Sequence, residues 1–178
     1  MLGQRYFIKK PIALIGFMGS GKSSVAKLLE EHTGIKSYDT DKIIVQTQRQ
    51  TVSEIINNQG EEAFRKIEAK VLSNIVEGGK AIISTGGGCV ESAVSRGVLK
   101  DCFVVWLKVD AKNSESRIED ISQRPMFKDI ENAINILAKR DAIYEQYCDV
   151  EINTNNKTLS NVVKEVLDAL VKNGALHL

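Results

Sequence analysis

The sequence predicts an α/β fold, a parallel sheet covered by helices, and three observations carry that prediction. Short apolar runs alternate along the chain with longer amphipathic segments. A glycine-rich stretch from Gly16 to Ser23 joins one such run directly to a helix-like segment. The chain closes on the helical stripe Leu159, Val162, Val163, Val166, Leu167, Leu170 and Val171, spaced three and four apart as one buried face.

In chain order, the apolar run Ile12-Ala13-Leu14-Ile15 reads as a first strand, and residues 23 to about 32 as the helix behind the glycine turn. A second strand ends near Asp39, and a helix follows from Lys42-Ile43. The segment after Gly60 is helical and carries Arg65 and Glu68. Strands at 81–83, 103–109 and 150–152 complete five, with a helix around Arg140 between the last two. Its apolar face holds Ile136, Leu137 and Ile143. With only two prolines the chain has few forced breaks.

At 178 residues the chain suits a single domain, 1–178, that buries roughly 70% of its unfolded surface. Charges nearly cancel, 24 basic against 23 acidic, which argues against a broad cationic face for nucleic acid or anionic lipid. The longest apolar runs fall far short of a membrane span, and residues 1–10 lack the apolar core of a secretion signal. The expectation is a soluble, cytoplasmic monomer with no nucleic-acid or membrane partner. Cys89, Cys102 and Cys148 are widely spaced without a Cys-x-x-Cys pair, so they read as buried reduced thiols. His32 and His177 have no evident catalytic partner in sequence.

The stretch Gly16-Phe-Met-Gly-Ser-Gly-Lys-Ser23 is a complete phosphate-binding loop. Phosphate oxygens need donors from several directions, and a glycine-rich turn lets the N–H groups of Gly19, Ser20, Gly21 and their neighbours converge without side-chain clashes. The helix N-terminus behind, through Ser23 and Ser24, adds partial positive charge. Lys22 is placed to reach the β- and γ-phosphates, and the Ser23 hydroxyl to ligate Mg2+. Nucleotide chemistry is therefore the first hypothesis.

Four further features are candidates for the acceptor side. Asp39 and Asp41, two apart in extended chain, face the same side and can share a pocket, although Asp41 can equally cap the helix that follows. Arg65 and Glu68 share a helical face, either as a surface ion pair or as a guanidinium oriented toward a ligand. Ser84-Thr85-Gly86-Gly87-Gly88 ends a strand with three glycines, where a parallel sheet binds ligands. Arg140 can donate a second fork to an anion. The polar stretch 110–129 reads as a mobile flap able to bring Arg117 and Arg124 to a bound nucleotide, or as a solvated surface segment. No Asp-x-x-Gly follows strand 81–83, and Asn156-Lys157-Thr158-Leu159 lacks the aspartate of a guanine-reading motif, which argues against a switch GTPase.

Taken together these motifs resemble the shikimate kinase family, in order and approximate spacing from about Ile12 to Val171. The resemblance rests on the phosphate loop, Asp39-Thr40-Asp41, Gly60-Glu61-Glu62-Ala63-Phe64-Arg65 with Glu68, Thr85-Gly86-Gly87-Gly88, Arg124-Pro125 and Arg140 with Tyr144. It implies a three-layer P-loop kinase fold with a mobile lid at about 110–129, and transfer of the ATP γ-phosphate to the 3-hydroxyl of shikimate, in chorismate and aromatic amino-acid biosynthesis. Under it Lys22 and Ser23 serve phosphate and Mg2+, with Asp39 and Ser84 acting on the metal through water. Asp41 binds shikimate hydroxyls and accepts the proton, and Arg65 and Arg140 clamp the carboxylate. Gly86, Gly87 and Gly88 contact the ring hydroxyls, Arg124 meets the transferring phosphate, and Arg117 lies over adenine. The sequence departs from the pattern at Met126-Phe127, where leucines are common, and at Ser24, where threonine is frequent. Kinases of the same class acting on gluconate or a nucleotide are the nearest rivals.

Overall fold

The computed structural model describes residues 6–117 and 130–178. Among the described residues the central sheet has five parallel strands: β2 (Ile12–Ile15), β3 (Ser37–Asp39), β4 (Ile82–Ser84), β5 (Phe103–Lys108) and β6 (Val150–Asn153), in the order β3-β4-β2-β5-β6. The strand feeding the phosphate loop is thus central, with Ile12 opposite Ile82 on one side and Phe103 on the other. Each expected strand is present, displaced by at most a residue or two at its ends.

Alternation along these strands builds two cores. Ile12, Leu14, Val105, Leu107 and Ile152 face α1 (Lys22–Thr33) and α8 (Leu159–Lys172), packing on Val25, Leu29, Val162, Val163, Val166 and Leu170. Ala13, Ile15, Ile83, Val104 and Trp106 point the other way, toward α4 (Glu61–Glu77), α5 (Ala93–Leu99) and α7 (Ile130–Tyr147). This covers both faces of the sheet, as parallel strands require. A smaller cluster of Ile44, Ile55 and Phe64 joins α2 (Thr40–Gln48) and α3 (Val52–Gln59) to α4.

The stripe of α8 is narrower than its spacing predicts. Val162, Val163, Val166 and Leu170 are buried, whereas Leu159 is 40% and Val171 52% exposed. Each i+4 step advances about 40° beyond a full turn, so Val163, Leu167 and Val171 walk progressively off the seam.

Sequence reasoning leaves both chain ends without a role. The structure pairs them: β1 (Phe7–Ile8) lies antiparallel to β7 (Leu176–His177), and the rings of Phe7 and His177 stack 4.9 Å apart. Ile8 and Leu176 enter the α1/α8 core from this ribbon.

The stretch beginning at Asp110 also departs from the expected flap at its start. Asp110 caps α6 (Ala111–Ser116) by accepting from Asn113 N at 2.7 Å, and buried Ser114 donates to Met18 O at 2.6 Å. This docks the helix on the phosphate loop. The remainder of the expected lid, 118–129, lies outside the described residues.

Candidate active site

Every candidate side chain that the structure describes sits at the carboxyl ends of the parallel strands, where loops leave the sheet. The phosphate loop leaves β2, and α1 starts after Gly21 in a left-handed conformation (φ 93°) with no side-chain cap. The first N–H groups of α1 are therefore available to an anion. Lys22 is buried, and its ammonium donates to Gly16 O at 2.6 Å and Phe17 O at 3.0 Å, which holds it over the loop.

Three oxygen donors meet beside it. Ser23 Oγ donates to Asp39 Oδ2 at 2.5 Å and lies 3.2 Å from Ser84 Oγ. Asp39 and Ser84 are register partners at the ends of β3 and β4, which is why residues so distant in sequence converge. An all-oxygen set of one carboxylate and two hydroxyls suits a hard cation shared with phosphate, such as Mg2+.

The two aspartates do not share a pocket by strand alternation. The chain turns helical at Thr40, so Asp39 ends β3 while Asp41 lies in the first turn of α2. Asp39, not Asp41, is the helix cap, accepting from Lys42 N at 3.1 Å. Their carboxylates serve opposite sides of one site: Asp39 faces Ser23, and Asp41 faces the glycine run. A Cβ on Gly86 would lie 3.0 Å from Asp41 Oδ1 and would overlap Glu68 Oε1.

The glycine run is thus explained by what packs on it. A Cβ on Gly88 would overlap the Arg65 guanidinium, and one on Gly87 would sit 3.5 Å from Gly16 O and 3.7 Å from Arg140 Nη1. This loop bridges the phosphate loop to the two arginines. Gly88→Ala is expected to push Arg65 from its partners and to lose about 1–3 kcal/mol in denaturant unfolding, the usual cost of overpacking. Wild-type stability with Arg65 unmoved in a crystal structure would contradict this packing argument.

Arg65 Nη1 donates to Glu68 Oε2 at 2.8 Å, as the helical spacing suggests, and Nη2 reaches Glu61 at 3.2 Å and Glu91 at 3.0 Å. Burial alone would lower its basicity, but Glu68, Glu91 and Glu61 together hold the guanidinium above its ordinary pKa. Glu68 is 1% exposed, and burial raises its pKa, opposed by Arg65 and reinforced by the Asp41 charge. Among the described residues no donor reaches its buried Oε1.

Buried Arg140 stacks 5.8 Å from the Phe17 ring and meets Glu91 through Nε at 3.1 Å and Nη2 at 3.2 Å. Arg117 at the end of α6 donates to Gly19 O at 3.2 Å and to Thr154 Oγ1 at 3.0 Å, seating it against the phosphate loop. Arg124 lies outside the described residues. Ser20 is buried in the phosphate loop, and Ser24 is exposed in the first turn of α1.

Sequence reasoning gave no role to the residues that hold these groups in place. Thr40 Oγ1 accepts from Gly86 N at 3.1 Å, Thr85 Oγ1 donates to Leu14 O at 2.9 Å, and Tyr144 Oη donates to Gly87 O. Tyr144 carried a legible signal, lying one helical turn after Arg140 on the same face. Glu91 carried none. Cys89, buried behind the glycine run with its thiol pushed up to about 12 by burial, is no nucleophile at neutral pH.

A family profile described as Shikimate kinase matches residues 18–171. The shikimate kinase of Dehalococcoides mccartyi is 35% identical over 167 residues, covering 92% of this chain and 95% of its own length. Among solved structures, the Acinetobacter baumannii shikimate kinase in complex with shikimate superposes with a TM-score of 0.87 at 27% identity, over 92% of this chain and 94% of that one. The Aquifex aeolicus shikimate kinase superposes with a TM-score of 0.82 at 31% identity, over 92% and 98%.

Proposed function

The chain belongs to the shikimate kinase family, and from that premise we propose the roles of its residues in the reaction. The reaction is transfer of the ATP γ-phosphoryl group to the 3-hydroxyl of shikimate, giving shikimate 3-phosphate and ADP, in chorismate and aromatic amino-acid biosynthesis. The observation that carries the assignment is the glycine run, which brings Asp41, Glu68, Arg65 and Arg140 together within reach of the phosphate loop.

On the nucleotide side, the N–H groups from Gly19 to Ser24 and the Lys22 ammonium hold the β- and γ-phosphates. Ser23, with Asp39 and Ser84 through water, would hold Mg2+, which supplies neutralisation of phosphate charge when bound. Arg117 packs over the adenine side, and Arg124 of the lid meets the transferring phosphate. On the acceptor side, Arg65 and Arg140 fork onto the shikimate carboxylate, and Gly86 to Gly88 lie against the ring hydroxyls. Asp41 accepts the proton of the 3-hydroxyl as its oxygen attacks the γ-phosphorus and the bond to the ADP oxygen breaks. No covalent enzyme intermediate is needed, because positioning and charge neutralisation carry phosphoryl transfer.

The enzyme works as one domain, 1–178, as a monomer in the cytoplasm, without nucleic-acid or membrane partners. Among the described residues no helix is long and apolar enough to cross a membrane.

The decisive experiment follows ADP release with ATP and magnesium while shikimate, gluconate or nucleoside monophosphates are added separately. Shikimate-dependent ADP matched by shikimate 3-phosphate is expected, and activity only with another acceptor would overturn the pocket assignment. Within it, Arg65→Ala and Arg140→Ala are each expected to raise the shikimate KM by about 10- to 100-fold, the loss of a charge-assisted fork. An unchanged KM in either variant would remove that residue from the clamp.

A further inference from the structure

The carboxylate position between Arg65 and Arg140 already has a protein carboxylate in it. Glu91 takes the Nε/Nη2 edge of Arg140 at 3.1 and 3.2 Å, and the same Oε2 accepts from Arg65 Nη2 at 3.0 Å. A planar acid fitted to two guanidinium groups is the arrangement expected of an acceptor carboxylate. The charge count makes it consequential. Arg65 and Arg140 are balanced by Glu68 and Glu91, with Glu61 also on Arg65, so an incoming anion meets a cluster without net positive charge.

Glu91 is the carboxylate that both arginines share, and unlike Glu68 it can move without dismantling the fold. The side chain of Glu68 is 1% exposed and fixed on α4, whereas that of Glu91 is 37% exposed, at the end of the 3₁₀ turn Cys89–Glu91. The backbone of that turn is pinned, because Glu91 N donates to Gly88 O at 3.0 Å and Arg96 Nη1 donates to Val90 O at 2.7 Å and Glu91 O at 3.0 Å. Displacement therefore needs side-chain rotation alone. Beside it runs a groove of about 850 Å³ lined by Glu91, Arg65 and Lys70 together with Glu61, Glu62 and Lys66, the last two paired at 2.9 Å, which offers open space into which the Glu91 side chain can turn.

The geometry points to Glu91 as an internal stand-in for the acceptor carboxylate, a specificity-determining residue that the acceptor must displace to reach Arg65 and Arg140. It keeps the two arginines paired with each other through its carboxylate and imposes on every carboxylate-bearing acceptor the work of expelling it. This rests on the reading of the pocket as a shikimate site, and it separates two roles for Glu91. A displaced stand-in weakens acceptor binding; a scaffold that preorganises the arginines strengthens it.

The test compares wild type with the isosteric Glu91→Gln and with Glu91→Ala in steady-state ADP release, alongside calorimetric titration of shikimate and of its carboxamide analogue. Melting followed by circular dichroism establishes that the variants are folded. The expected result is a fall of about five- to tenfold in both shikimate KM and Kd for Glu91→Gln, with kcat changed less than about twofold and no gain for the carboxamide. An unchanged or higher KM in two folded variants, or an equal gain for the carboxamide, overturns the role of Glu91 while leaving the pocket reading intact. A wild-type chain that releases no ADP on addition of shikimate overturns both.

Discussion

Lys22→Ala is expected to lower kcat by about 10³-fold or more, because the proposed mechanism puts this ammonium where charge develops on the transferring group. That factor corresponds to about 4 kcal/mol of transition-state stabilisation. The structure explains why a long, flexible side chain can carry so large a share. It is buried and held by Gly16 O and Phe17 O, so the loop's own carbonyls fix its position. Alanine therefore also removes hydrogen bonds that tie the loop together, so the assay needs a companion measurement of folding. Circular dichroism melting and ATP binding by calorimetry serve this purpose. A folded Lys22→Ala enzyme with turnover within tenfold of wild type would sink the assignment of the phosphate site.

Asp41→Asn is expected to lower kcat by about 10²- to 10⁴-fold, the range of a lost general base, while ATP binding changes little. The residue is isosteric with its replacement and sits in the first turn of α2, where either side chain is tolerated. It does not cap the helix; Asp39 does, so folding is spared. The asparagine amide would keep a hydrogen bond to a hydroxyl but could not take its proton. Removing the charge also relieves the repulsion that Asp41 exerts on buried Glu68, which should make the variant slightly more stable in urea. Equal losses in acceptor turnover and nucleotide affinity would instead mark Asp41 as a structural residue.

The contrast between Asp39 and Asp41 shows what sequence reasoning reached and where it stopped. Both were legible as candidate site residues from their place at a strand end, but their different neighbours were not. It depends on where β3 gives way to α2, and a change of one residue in that boundary sends the second carboxylate to another neighbour. The phosphate loop was legible in full because its geometry is local, set by glycines, a strand and a helix within one short stretch. Arg65 and Glu68 were legible as a helical pair for the same reason. Glu91, by contrast, meets Arg65 across 26 positions and Arg140 across 49, and its own surroundings show only an acid in a short turn. The β1–β7 ribbon was invisible for a related reason. Two-residue strands carry too little periodicity to announce themselves, and their pairing spans almost the whole chain.

The order of strands has a consequence for how the enzyme comes into being. The phosphate loop precedes in the chain both hydrogen-bonding partners of β2, which are β4 and β5, with Ile15 opposite Trp106. Closing such long loops costs entropy before any contact offsets it, which makes these pairings slow. A growing chain that has reached residue 100 therefore has the loop's sequence and β4 but not β5, the other strand that flanks β2. Until Trp106 docks, the growing chain carries a nucleotide motif on a strand with one edge still unpaired, the kind of exposed edge that invites wrong partners.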